Sequence, residues 1–170
     1  VLAGGEHFPA DAVICTIPTP YVSRLVPDMP PGHRAAYDRI VNIGVVCLVF
    51  RLRRQVTPHF WVNISDRSFA IPGIVEFSNL RPVPGAVVYV PYYLPPAHPK
   101  FSQPDEAFLA EGFGFLKLLN PALAEDDIVA THVGRLRYAQ PVCPPGFAAT
   151  IPPVETSLRG LLARRVGIFL

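Results

Sequence analysis

The sequence predicts an α+β fold: a mixed, mainly antiparallel sheet of about six strands flanked by a few helices. Three observations lead there. Apolar, strand-like runs follow one another with few helical patterns between them. One segment, Ser102 to Asn120, carries the clearest helical period. The 21 prolines punctuate apolar runs and form no PxxP tract, so they delimit elements.

Taken in order, Val1 to Ala10 reads as the end of a strand, a Gly4-Gly5 turn and a short return through His7 and Phe8. Asp11 to Ile17 is a compact apolar run ending at Pro18, the pattern of a buried strand in a parallel sheet. Tyr21 to Val26 is one helical turn or two, and Pro31 to Arg39 is a short helix opened by proline. Ile40 to Arg53 is a long Val-rich strand. His59 to Ile64, Gly73 to Asn79 and Ala86 to Leu94 follow as further strands. Ser102 is placed to cap the main helix, with Asp105 three residues on. Phe108, Leu109, Gly112, Phe113, Leu116 and Leu119 form its apolar stripe, and Asn120-Pro121 stops it. Ile128 to Tyr138 is a last long strand, and the tail ends on Ile168, Phe169 and Leu170. The opening and closing runs fit this sheet poorly and read as severed elements.

Half of the 170 residues are hydrophobic and 16% are charged, against about a quarter in average usage. That predicts apolar surface beyond what one small domain hides, hence an interface or self-association. The net charge of +2, from 15 basic and 13 acidic side chains, gives no phosphate-binding footprint, so no nucleic-acid partner is expected. Arg51, Arg53 and Arg54, and Arg164 and Arg165, read as short solvated clusters. Ile40 to Phe50, the longest apolar stretch, is far short of the ~20 residues that span a bilayer. Cys15, Cys47 and Cys143 form no CxxC pair. Cys15 and Cys47 sit in apolar runs as buried thiols, which suits a reduced, cytoplasmic setting; a membrane-peripheral one is compatible.

The search for chemistry is mostly negative. Gly112-Phe113-Gly114 lies inside a helical pattern, and Lys117 stands where a dinucleotide fingerprint needs glycine. No P-loop and no GxSxG occur. His7, His33, His59, His98 and His132 lack metal-ligand spacing. Asp105-Glu106 suits a helix N-terminus, and Asp126-Asp127 reads as solvated. Two aromatic segments stand out. In Phe60-Trp61-Val62-Asn63, alternation puts Trp61 and Asn63 on one face. Tyr89-Val90-Pro91-Tyr92-Tyr93 holds three of the six tyrosines. Rings with polar tips line pockets for flat apolar ligands; they also pack ordinary cores, and both readings stand at this point.

The run Ala10-Asp11-Ala12-Val13-Ile14-Cys15-Thr16-Ile17-Pro18 resembles a hallmark of the flavin-containing amine oxidase superfamily, which includes protoporphyrinogen oxidase and phytoene desaturase. There a Gly-containing hairpin, here Gly4-Gly5, precedes a strand that leaves the FAD domain. Leu25 to Pro30, the strand Gly44 to Arg51, Phe60 to Asp66, Tyr89-Val90-Pro91 and Tyr138 to Pro141 are similar to the protoporphyrinogen-oxidase-like branch in that order. The resemblance implies that residues 1–20 belong to the FAD-binding domain, 21–157 to a substrate-binding domain, and 158–170 to the return toward the FAD-binding domain. It implies that Thr16, Ile17 and Pro18 approach FAD through backbone, and that Trp61, Asn63, Tyr89 and Tyr92 line a cavity for an apolar or aromatic small molecule oxidised by hydride transfer to flavin. The Gly-rich Rossmann unit is absent, and Arg164-Arg165 interrupts the pattern that Leu158 to Ala163 begins. FAD is therefore expected in the parent protein and not on this chain alone. In such enzymes the cofactor carries the chemistry, so no catalytic residue is named. Porphyrinogen, carotenoid, amine and sugar-ring substrates are all compatible. The alternative is a stand-alone α+β binding module without cofactor.

Overall fold

The structure is a computed structural model and describes residues 5–163. Gly4, Arg164, Arg165 and the Ile168–Leu170 tail lie outside the described residues. The chain forms two compact units, one from residues 1–42 and 140–170, the other from 43–139.

In the second unit five strands are ordered β3-β4-β5-β2-β6, with β2 Asn42–Leu52, β3 Trp61–Asn63, β4 Gly73–Glu76, β5 Ala86–Leu94 and β6 Ile128–Pro141. The pairs β2/β5, β3/β4 and β4/β5 are antiparallel. β2 and β5 are rich in β-branched and aromatic residues, which suit a pleated surface. Their register sets Val46 opposite Tyr92, Leu48 opposite Val90, and Phe50 opposite Val88. All six are buried. With period-two alternation, the intervening residues face the other way: Val45 opposite Tyr93, Cys47 opposite Pro91, Val49 opposite Tyr89.

One helix, the third in chain order and called α3 (Asp105–Leu119), covers the first of these faces. Phe108, Gly112, Phe113 and Leu116 are its buried stripe, at helical spacing. Asp105 and Glu106 in its first turn and Lys117 in its last complement the backbone dipole. Gly112 marks the closest approach: a Cβ there would lie 2.3 Å from Leu48 Cδ1. Phe108 meets Tyr92 edge-on with ring centroids 5.2 Å apart, and Phe113 lies 6.0 Å from Phe50.

Five expectations change. Ser102 does not cap α3; it ends a 3-10 turn, Pro99–Ser102, whose own start is held by Lys100 N donating to His98 Nδ1 at 3.1 Å. Pro104 precedes the helix in extended conformation and offers no side-chain cap. The His59–Ile64 strand shrinks to Trp61–Asn63, and Phe77–Asn79 is a 3-10 turn. Cys47 is half-buried. Asp127 is not solvated but buried: it accepts from Ala124 N at 2.9 Å, with Arg54 Nε 2.9 Å from its carboxylate.

The first unit holds a separate parallel pair, β1 (Val13–Cys15) with β7 (Leu161–Ala163). Parallel pairing agrees with expectation; burial does not, because Val13 and Ile14 are 53% and 68% exposed. Gly160 has φ +81°, and a Cβ there would lie 3.0 Å from Asp11 O, so this turn requires glycine. α1 (Thr19–Leu25) and α2 (Pro31–Asp38) follow β1, each with proline in its first turn. Cys15, Val22, Met29, Tyr37 and Ala163 form this unit's core. Asn42 is buried but satisfied, donating to Thr19 Oγ1 at 2.9 Å and Ile40 O at 2.8 Å.

The Asp127 contacts define a pH test. Its hydrogen bond from Ala124 N, then Arg54, hold its carboxyl below the usual range. A depressed carboxyl contributes stability above its unfolded value, and loses it as pH falls through the lower folded value. Asp127→Asn is expected to lower the denaturation midpoint at pH 7, with the gap to wild type closing below about pH 4 in parallel urea melts.

Candidate functional site

The sheet face away from α3 carries most of the predicted ligand-facing residues. Trp61 pairs with Val75, Val75 with Tyr89, and Tyr89 with Val49, so these four form one row across four strands. Directly opposed residues project to the same side. Trp61, 39% exposed, donates from Nε1 to Asn63 Oδ1 at 2.8 Å, which fixes the indole against its neighbour two residues on. Asn63 Nδ2 has no partner among the described residues. Phe77 meets Tyr89 edge-on at 5.9 Å, and Phe60 lies 6.5 Å from Trp61. Gly73 lets β3 come this close: a Cβ there would sit 2.2 Å from Val62 O.

Cys47 and Tyr93 continue the face. Burial pushes the Cys47 thiol up; burial, then the neighbouring Cys47, pushes Tyr93 up. Cys47 therefore stays a thiol at neutral pH and is no activated nucleophile. The face offers aromatic and aliphatic contact, one free amide N–H₂ and the phenols of Tyr89 and Tyr93.

Tyr92 does not join Trp61, Asn63 and Tyr89. It lies three residues from Tyr89, so alternation turns it to the opposite face, under α3. Lys100 Nζ lies 4.7 Å from its ring centre and binds both oxygens of Glu111 at 2.7 and 2.8 Å. The Tyr92 hydroxyl is buried without a hydrogen-bond partner among the described residues. Burial, then the Glu111 carboxylate, pushes its ionisation far up.

Thr16, Ile17 and Pro18 lie in the first unit, at the carboxyl end of β1 and before α1. Thr16 is exposed; Ile17 and Pro18 are half-buried. Ligands of open parallel sheets bind beyond strand carboxyl ends, so this position suits contact with a cofactor. Among the described residues no turn from a strand into an α-helix has a positive-φ glycine that could cradle a pyrophosphate; Gly146 opens only the 3-10 turn Phe147–Thr150. Gly112-Phe113-Gly114 sits within α3. Among the described residues no group of three or more His, Cys, Asp or Glu side chains is placed to hold a metal.

Sequence reasoning missed Val75, Cys47, Tyr93 and Glu76. The first three were within reach of the period-two pattern of β2, β4 and β5. Glu76 carried one signal, a lone acid inside Gly73-Ile74-Val75-Glu76-Phe77.

Residues 1–140 match the family described as flavin containing amine oxidoreductase. Among solved structures, the chain is similar to a candidate protoporphyrinogen oxidase from Exiguobacterium sp. 255-15 (TM-score 0.63, 16% identity), covering 93% of this chain and 36% of that one. It is similar to an oxidoreductase from Methanosarcina mazei (TM-score 0.63, 17% identity), covering 94% and 38%. A reduced UDP-galactopyranose mutase follows (TM-score 0.58, 16% identity), covering 86% and 33%. These likenesses are of fold, and the chain spans little more than a third of each neighbour at most. A comparison with curated proteins finds no match.

Tyr92→Phe tests the placement of Tyr92. Removing a buried, unpartnered hydroxyl relieves a cost of about 1 kcal/mol or more. The variant is expected to melt at or above the wild-type temperature in calorimetry; a drop would reveal a hydrogen bond that holds the hydroxyl.

Proposed function

The chain belongs to the flavin containing amine oxidoreductase family, and from that premise we propose that it forms the substrate-facing part of an FAD-dependent oxidoreductase. The observation that carries the reading is the row Trp61, Val75, Tyr89, Val49 on the sheet face away from α3, with Asn63 beside Trp61. A flat, apolar or aromatic small molecule matches that row: rings stack on rings, and the free Asn63 N–H₂ donates to a polar edge. Thr16, Ile17 and Pro18 are assigned to contact with FAD, through strand-end backbone. They supply one edge for the cofactor, and the pyrophosphate needs groups beyond the described residues.

A bound flavin would supply the two-electron acceptor for a hydride leaving the substrate. This chain's residues then bind, orient and exclude water. Cys47 stays protonated and Tyr92 is sequestered under α3, so neither is assigned a proton-transfer role. Self-association remains an expectation from the apolar composition. Among the described residues no helix is long and apolar enough to cross a membrane.

Trp61 is the only tryptophan, so its fluorescence reads the site directly. Titration of the purified chain with 2-naphthol is expected to quench it saturably. Tyr89→Ala and Asn63→Ala are expected to weaken binding about 2- to 10-fold, the scale of one aromatic or polar contact. Exposed Lys117→Ala is expected to change nothing. Unchanged affinity in Tyr89→Ala would contradict the assignment.

A further inference from the structure

Glu76 ends β4 and is 0% exposed. An isolated buried carboxylate is costly unless charge or hydrogen bonds compensate it. Asp127, also buried, has Arg54. Glu76 has no cation among the described residues. Its partners are two backbone amides: Val56 N at 3.1 and 3.3 Å from its two oxygens, and Thr57 N at 2.8 Å. Burial still outweighs these bonds and raises its ionisation. The nearby cations point elsewhere, Arg53 Nε to Asp126 O and Arg54 to Asp127.

Those amides belong to the connection that leads directly into β3. β3 has only three residues and sits at the sheet edge, where its one ladder partner is β4. So short a ladder fixes little. The start of the connection is tied elsewhere, with Arg53 N donating to Asp127 O at 2.8 Å and Asn120 Nδ2 to Gln55 O at 3.0 Å, while the stretch next to Trp61 is held by the same end of β4 and the turn after it. Glu76 N donates to Phe60 O at 2.8 Å, and Asn79 Nδ2 donates to Thr57 O at 2.8 Å and His59 O at 3.2 Å. Phe60 immediately precedes Trp61.

We propose that Glu76 is a positioning residue for Trp61: its carboxylate clamps Val56 and Thr57 and thereby fixes the indole at the edge of the ligand-facing row. The consequence for ligand binding rests on the function proposed above; the clamp itself does not. The geometry explains why an uncompensated acid is kept in an otherwise apolar strand. Oε2 accepts from both adjacent amides and Oε1 adds a longer contact to Val56 N, and an aliphatic residue there would leave both donors unpaired.

The test separates a local clamp from general core stability. Glu76→Gln replaces one acceptor oxygen with a donor facing an N–H. Loss of a hydrogen bond to a charged group predicts that Val56 and Thr57 amides exchange with deuterium about 10- to 100-fold faster. Trp61 emission is expected to shift to the red and become more open to acrylamide. The Leu48 and Val88 amides should keep their protection. Should that variant fail to fold, Asn79→Ala releases Thr57 O and His59 O without touching the buried acid. It is expected to move Trp61 emission in the same direction by a smaller amount. Unchanged Trp61 emission in either folded variant overturns the proposal, as does protection lost equally at Leu48 and Val56. Failure of 2-naphthol to bind wild type would overturn the site reading while leaving these readouts to decide the clamp.

Discussion

The docking of α3 on one face of β2 and β5 is the constraint on which the second unit depends. Leu48 reaches so close to the helix that a side chain at position 112 would force it to shift within the core. Phe108 and Leu116 then settle fully buried beside Tyr92, Val88 and Val90. Burying each such side chain is worth roughly 1.5–3 kcal/mol, and close packing makes the interface intolerant of volume changes. Because strand side chains alternate, choosing the face for the helix also chooses the face left for other work. That second face carries Val45, Cys47, Val49, Tyr89 and Tyr93, a non-polar set for a surface the unit's helix does not cover.

The polar groups divide the same way. Lys100, Glu111, Arg135 and Asp105 form ion pairs at the α3 side, where Arg135 also stacks 5.5 Å from the Phe108 ring. The opposite face holds Asn63 beside Trp61, and among the described residues no ion pair involves its row. Under the proposed function, that surface receives a flat ligand whose reactivity comes from a cofactor. The short edge strand that bears Trp61 is the least self-sufficient element of this face, and a buried carboxylate anchors the chain leading into it.

Much of this was legible from residue patterns. β5 spans Ala86–Leu94 as its composition indicates, α3 ends at Leu119 before Asn120-Pro121, and period two set Trp61 and Asn63 together. The same period separates Tyr89 from Tyr92, yet aromatic clustering grouped them: chemistry was weighed over geometry. Other features needed contacts distant in sequence. Asp127 looked solvated because its partner Arg54 is 73 residues away. Glu76 binds amides 19 and 20 positions earlier. Val13 and Ile14 read as buried from their apolar run, but only one strand, β7, pairs with theirs among the described residues. The order and spacing of weak motifs pointed to the flavin family where no single motif did, and the match over residues 1–140 agrees.

The account stands on the two sheet faces having different tasks, and methyl NMR reads both at once. With 2-naphthol added to the isotopically labelled chain, Val45, Val49 and Val75 are expected to shift saturably, while Val46, Leu48 and Val88 beneath α3 stay in place. Shifts confined to the residues beneath α3, or spread equally over both faces, would contradict it.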